Sequence, residues 1–389
     1  MAPPSLLNRV YNRLTERSRL GSVLKSIVGR LGSILDFTLS YSAYASVLNV
    51  LSPVYSIGAL TFLFFTINAV TGVMLAMSYT ATSETAYNSI QTISTALRYG
   101  WLIRGIHFYT ANGMIIAAIL HLINGYFKGS YKKPQELNWI VGMAAGAVTI
   151  LAGFTGYVLR WDQEAVGAAG IGQGLAASIP QFGAVITKIF WGRTYTETLG
   201  RFYTGHVLLL PGLLVALLAV HYFIIRRHGI EILLSEINMA PIVLGLLFVF
   251  VSLFPLKIGD RFDPMKPPTI LEPEWYFMGM YQFLKTQSVE PLYGVILATG
   301  LWLFIAIIPF LDRSPERRAL RRPVFTAIGI FIIIEFLALT IYAYLSPGQI
   351  GTFLDSNFTA AFVLTNVAAI SFVAVVLAAN RRIVRASRG

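Results

Sequence analysis

The sequence contains no cysteine. That excludes, within this chain, a Cys-ligated iron–sulfur cluster, a disulfide framework and a haem attached through thioether bonds. Charge is scarce too: Asp, Glu, Lys and Arg make up 12% of the 389 residues, against 56% hydrophobic. Soluble domains carry roughly twice that share of charge, so the composition describes a helical protein with several membrane spans. Acidic residues are the scarcer sign, which gives a formal net charge of +12. In a membrane chain, loop cations that set topology account for such an excess, and no nucleic-acid partner is expected. The segment MAPPSLLNRVYNRLTERSRLGSVLKSIVGRLGS lacks a compact apolar core followed by a cleavage site, so no signal peptide is expected. Its spaced Leu, Val and Ile between Arg and Lys predict a basic amphipathic helix on the membrane surface. Glycine, by contrast, is plentiful at 33, as in membrane helices that pack closely.

Apolar runs predict an all-α integral membrane protein of eight spans: 54–78, 105–127, 138–159, 203–226, 237–256, 291–311, 323–345 and 358–380. An even number puts both termini on one side. That side holds 20 of the 30 Lys and Arg, in the N-terminal segment, loops 128–137, 227–236 (with Arg226 at its edge) and 312–322, and the C-terminal tail. The positive-inside rule then places both termini in the cytoplasm. The opposite face carries two long connections, 160–202 and 257–290, where chemistry is expected. The chain divides into a cytoplasmic-side segment 1–53, a four-helix bundle 54–236 and a second four-helix part 237–389.

Histidine is rare, with five in all, and four of them form two pairs: His107 with His121 and His206 with His221. The gaps of 14 and 15 residues correspond to roughly 21 to 22 Å of helix, with the members of each pair within roughly 40 to 60° of one another. Spans two and four run parallel in this topology. His107 and His206 therefore share the outer depth, and His121 and His221 the inner one. Paired imidazoles ligating a planar cofactor from both faces are what electron-transfer haems use. The pattern predicts two stacked haem sites inside the bundle formed by the first four spans. Gly58 and Gly72 in span one, and Gly142 and Gly156 in span three, repeat the 14-residue interval, as helices approaching a haem closely require. Arg104 and Arg201 stand before the outer histidines, where haem propionates need cationic partners.

Several stretches resemble the cytochrome b family: TGVMLAM (71–77), GWLIRGIHFYTANGM (100–114), FKGSYKKPQELNWIVGM (127–143), GYVLRWDQ (156–163), GRFYTGH (200–206) and PEWY (273–276). The likeness runs from about Tyr55 through the eighth span. It implies a quinol-oxidising redox subunit with two haems of b type, one of them open to modification, that passes electrons to a Rieske iron–sulfur protein. It further implies membrane quinone and lipid as partners, a cytochrome or terminal oxidase downstream, a homodimer within a larger complex, and coupling to proton translocation. The 15-residue gap of the second His pair, KKPQELNW and HYFIIRRHGI (221–230) resemble the plastoquinol-type branch, whose two parts are here fused. That combination points to a prokaryotic cell membrane.

By the same resemblance, Glu274 of PEWY takes a proton from quinol, in a pocket lined by Tyr157 and Tyr281 with Asp162 and Gln163 adjacent. Arg226, Arg227 or His228 would serve an inner quinone or an anionic lipid. Ser56 replaces the Cys that holds an extra haem in the plastoquinol-type proteins. Arg160 replaces a Pro that would stiffen the turn. Two other readings of the chain stay open at this point. One is a di-haem membrane anchor of another quinone-linked oxidoreductase, which leaves PEWY without a role. The other is a proton-coupled transporter, which calls for inverted repeats and broken mid-membrane helices that the sequence does not display.

Overall fold

In the computed structural model the described residues are 57–227, 240–266, 271–285, 290–345 and five positions between 366 and 374. The amphipathic segment 1–53, His228 and the body of the eighth expected span lie outside them. Among the described residues the chain is helical, with one isolated bridge between Asp162 and Arg261. Seven of the eight expected spans are present as apolar helices.

Helix α1 covers Ile57–Ala76, and a short α2, Ala86–Thr95, lies between it and the next span. Helix α3, Gly100–Lys128, ends at Gly129, whose φ of 63° lets it close the last turn by donating to Gly125 and Tyr126 carbonyls. Helix α4 is Glu136–Val158. In the first long connection lie α5, Gln163–Ala177, capped by the Asp162 carboxylate on Ala165 N, and α6, Gly183–Phe190. The fourth span is one rod of three pieces: α7, Tyr195–Thr204, begun by a Thr194 cap, a π-helical turn Gly205–Leu209, and α8, Leu210–Arg227. It starts before the expected residue 203 because Thr194 supplies a start signal outside the apolar run.

Helix α9 is described over Ala240–Leu253, and the residues just before it lie outside the described ones; it ends before the expected residue 256. At its far end Pro255 drives the residue before it out of helical geometry. After the second long connection come α10, Met278–Leu284, α11, Pro291–Leu311, and α12, Pro323–Leu345.

Helix α1 packs along α3, and α4 along α8. Between the two histidine levels the bundle is closed by Met114, Ala145, Val148 and Leu214, all buried. Outward faces remain apolar and exposed, as at Val73, Phe248, Leu303 and Ile341. A helix apolar on its outside as well as its inside belongs in hydrocarbon, so this is a multi-pass membrane fold.

Two polar seams tie the loops together. On one side Gln163 joins the two long connections, with its N–H donating to Asp260 O at 2.9 Å, its Oε1 accepting from Asp263 N at 2.7 Å and its Nε2 donating to Lys266 O at 3.1 Å. At the opposite end Asp312 is buried between Lys132 (2.8 Å) and Arg322 (3.2 Å) and accepts the Tyr131 hydroxyl at 2.6 Å. Arg322 also donates to Tyr131 Oη and to the last carbonyls of α3, Tyr126 and Phe127. The loop after α3 is thereby fastened to the loop before α12. Burial alone would raise the Asp312 carboxyl, but Lys132, Tyr131 and Arg322 outweigh it and hold it below the ordinary value.

Because Asp312→Asn leaves two buried cations facing a neutral amide, it is expected to destabilise the protein by about 3 to 5 kcal/mol. Thermal unfolding in detergent measures this. A carboxyl held below its unfolded value stabilises above the ordinary carboxylate range, and that contribution is lost as pH falls through the folded value. The variant's deficit should therefore shrink in acid.

Candidate functional site

The four paired histidines meet as two couples. The rings of His107, on α3, and His206, in the π turn, have centroids 6.2 Å apart. Those of His121, on α3, and His221, on α8, stand 6.4 Å apart, and both couples are inclined at 78°. An imidazole nitrogen bonds a transition metal at about 2.0 to 2.1 Å with the ring centre about 1.2 Å further back, so two rings on opposite sides of one metal stand about 6.4 Å apart. Both couples therefore fit a single metal between them. Neither fits a direct hydrogen bond between rings.

The outer nitrogens support the same fit. His206 Nδ1 lies 3.0 Å from Ala152 O, and His221 Nδ1 3.2 Å from Asn138 O. A carbonyl only accepts, so Nδ1 carries the proton and Nε2 keeps its lone pair. His107 Nδ1 is 3.0 Å from Thr71 Oγ1, whose own proton goes to Ile67 O at 2.7 Å. Metal-bound histidines are commonly oriented by this kind of outer bond.

Each of the four glycines sits under one imidazole. A Cβ at Gly58 would come within 3.0 Å of His121, at Gly72 within 3.2 Å of His107, at Gly142 within 3.2 Å of His221, and at Gly156 within 2.6 Å of His206. The group each glycine admits is thus a histidine ring, which explains why the glycines copy the histidine interval. The fifteenth residue of the second pair has its own cause. Pro211 has no N–H to give Val207 O, and at Gly205–Leu209 the helix widens, Leu210 N donating to Gly205 O five residues back. That turn takes up one extra residue, so His206 and His221 reach the phase that His107 and His121 reach over 14.

From His107 and His206 a cavity of about 340 Å³ extends outward, and Gly72, Gly156, Arg104, Tyr157, Arg160, Glu274 and Tyr276 also line it. The PEWY segment is brought there by Trp275 and the adjoining Phe277: Trp275 Nε1 donates to Asn112 Oδ1 on α3 at 2.8 Å, and Phe277 meets Phe154 of α4 edge-on at 6.1 Å. Burial is the main cause that raises the Glu274 carboxyl above its ordinary value; Arg160 works against it and Glu164 with it. Arg160 N donates to Tyr157 O at 3.3 Å, a bond a proline could not make, and its guanidinium lies 4.3 Å over the Tyr157 ring.

Of the other expected site residues, some line the cavity and some do not. Arg104 lines the cavity and donates to Ser94 Oγ and Lys257 O. Arg201 does not line it: the side chain pairs with Glu197 at 3.1 Å and donates to Lys188 O and Ile189 O, capping α6. Tyr281 is not among the lining residues either; it lies on α10 with Lys285 Nζ 5.1 Å over its ring. Tyr276 takes that place, a residue the sequence reading passed over although PEWY contains it. Asp162 and Gln163 act as loop fasteners. Arg226 lies exposed in the last described turn of α8.

Two family models cover most of the chain: Cytochrome b/b6/petB over residues 42–229 and Cytochrome b(C-terminal)/b6/petD over 261–363. The chain is 32% identical over 319 residues to a cytochrome bc complex cytochrome b subunit from Chlorobaculum thiosulfatiphilum, covering 76% of this chain and 74% of that one. To cytochrome b6 from Acaryochloris marina it is 39% identical over 179 residues, 46% of this chain and 83% of the relative. A chain of a solved hyperthermophilic respiratory Complex III matches with a TM-score of 0.68 and 28% identity, over 82% of this chain and 89% of that chain.

The clearance beneath the rings ranks the glycines. Gly156→Ala is expected to abolish binding at the outer His pair, while Gly142→Ala and Gly72→Ala, with 3.2 Å available, weaken theirs in part. Haem per chain in the purified variants, from pyridine haemochrome absorbance, measures the order.

Proposed function

The chain belongs to the cytochrome b family, and from that premise we propose that it oxidises quinol at its outer side as the membrane subunit of a Rieske/cytochrome b complex. Family membership carries haem b binding and electron transport. The finer reading rests on one observation above all, the single cavity that runs from the His107/His206 couple to Glu274.

Quinol must lose two protons and two electrons. Two b-type haems, one in each histidine couple, would supply a one-electron relay across the membrane. His107 and His206 would hold the outer one and His121 and His221 the inner one, with Arg104 as the cation nearest the outer site. Glu274 is a half-buried carboxylate on the cavity wall, and its raised affinity for protons suits it to accept one from a quinol hydroxyl. Tyr157 and Tyr276 bound the space beside it. Met114, Ala145, Val148 and Leu214 keep water out of the stretch between the two levels. An electron moving inward against a proton released outward stores energy, about 2.3 kcal/mol per charge per 100 mV.

A Rieske protein would dock on the outer face and take the second electron, for delivery to a cytochrome or oxidase. Quinone or anionic lipid would meet Arg226 and His228 at the inner face. We assign residues 1–53 to a surface-lying segment, 54–236 to the haem-binding bundle and 237–389 to the part carrying PEWY. The complex is read as a homodimer in a prokaryotic cell membrane, with both termini cytoplasmic.

The test is quinol-dependent reduction of the Rieske protein by the assembled complex. Glu274→Gln is expected to slow it by about 10²- to 10⁴-fold with haem content unchanged. The wild-type rate should fall as pH drops through the raised Glu274 pKa, because a protonated carboxyl takes no proton. Arg160→Met removes the charge that opposes this rise, so the acid limb should move to higher pH.

A further inference from the structure

We infer that Glu164 is the carboxylate through which a proton accepted at Glu274 leaves the quinol pocket, by way of the Tyr157 hydroxyl. The inference rests on the quinol-oxidising reading above. Glu164 sits in the first turn of α5 with its side chain 54% exposed, outside the cavity lining, while Tyr157, Arg160 and Glu274 all line the cavity. Tyr157 Oη stands on the boundary: it is 3.5 Å from Glu164 Oε2 and 3.4 Å from the carbonyl of Glu272, two residues before Glu274. A phenol has one proton to donate, and here two acceptors lie within reach. Rotation about the C–O bond turns it from the PEWY side to the solvent side.

Arg160 keeps the exit carboxylate in place. Its Nη2 is 2.9 Å from Glu164 Oε2 and 3.1 Å from Asp162 Oδ1, while its guanidinium covers the Tyr157 ring. Arg160 lies in the turn between α4 and α5, and its ion pair with Glu164 holds the acid beside the hydroxyl. The other acids near by are differently engaged. Asp162 is buried, caps α5 through Ala165 N and accepts from Arg160. Glu272 faces Tyr157 with its backbone oxygen rather than its side chain.

The transfer balances as follows. A quinol O–H bond breaks and its proton joins the Glu274 carboxylate. Glu274 passes a proton to the Tyr157 oxygen as Tyr157 gives its own to Glu164. Glu164 releases it to water. Tyr157 and both carboxylates return to their starting states, one proton has moved outward, and no electron takes this route.

The experiment measures quinol oxidation by the assembled complex in H₂O and D₂O, with and without added formate, for the wild type, Glu164→Gln, Glu164→Asp and Glu272→Gln. Reduced-minus-oxidised haem spectra check folding. The inference expects at least about a tenfold loss in Glu164→Gln, an enlarged solvent isotope effect, recovery with formate as a diffusible proton carrier, and near-normal rates in Glu164→Asp and Glu272→Gln. Three results overturn it: wild-type rate and isotope effect in Glu164→Gln, a loss that formate does not restore, or a loss carried by Glu272→Gln instead. A wild-type complex inert towards quinol would remove the parent reading and this one with it, and so is distinct from all three.

Discussion

Two imidazoles can stand 6.2 to 6.4 Å apart across a helical bundle only when space is cleared behind each ring, because the rings sit against backbone and not against side chains. Much else in the bundle follows from this requirement. It fixes glycine at 58, 72, 142 and 156, since any Cβ there would lie within about 3 Å of a histidine atom. It requires α3 and α8 to run parallel, so that outer meets outer and inner meets inner. It also requires equal phase over the two intervals, which the π turn at Gly205–Leu209 restores for the longer one. The apolar residues between the levels then need only fill a bundle whose spacing is already set.

In the connections, aromatic packing and charge act together. Trp275 and Phe277 bind PEWY to α3 and α4 and so carry Glu274 to the wall of the outer cavity. A carboxylate there is desolvated and would hold its proton tightly; the Arg160 guanidinium moderates that effect while Glu164 adds to it. The three groups form one charge system at the mouth of the cavity, in which acidity at one position depends on the charge at the others. At the opposite end the Lys132–Asp312–Arg322 cluster fastens the two helical parts by charge, beside an apolar cluster of Tyr126, Tyr131, Trp139, Met143 and Ile308.

The histidine depths and the glycine interval were legible in the sequence because helical phase is local arithmetic. The same is true of the apolar spans that fall among the described residues, with Pro255 ending α9 sooner than hydropathy implies. What depended on tertiary contacts was not legible. Arg201 lies the right distance before His206, yet the carbonyls of Lys188 and Ile189, in a short surface helix, claim its guanidinium. Tyr281 and Tyr276 differ by five residues, and only the 3₁₀ turn at Trp275–Phe277 decides that Tyr276 reaches the cavity. The Asp312 cluster joins residues some 180 positions apart, beyond any local pattern.

The central claim is that each histidine couple holds one haem and that the two together form a path across the membrane. A potentiometric titration of the purified protein's absorption spectrum, scaled by pyridine haemochrome content, tests it most directly. The account predicts two low-spin haems per chain, titrating at separate potentials, with His107→Ala removing one component and His121→Ala the other. A single haem per chain, or two that survive both substitutions, would contradict it.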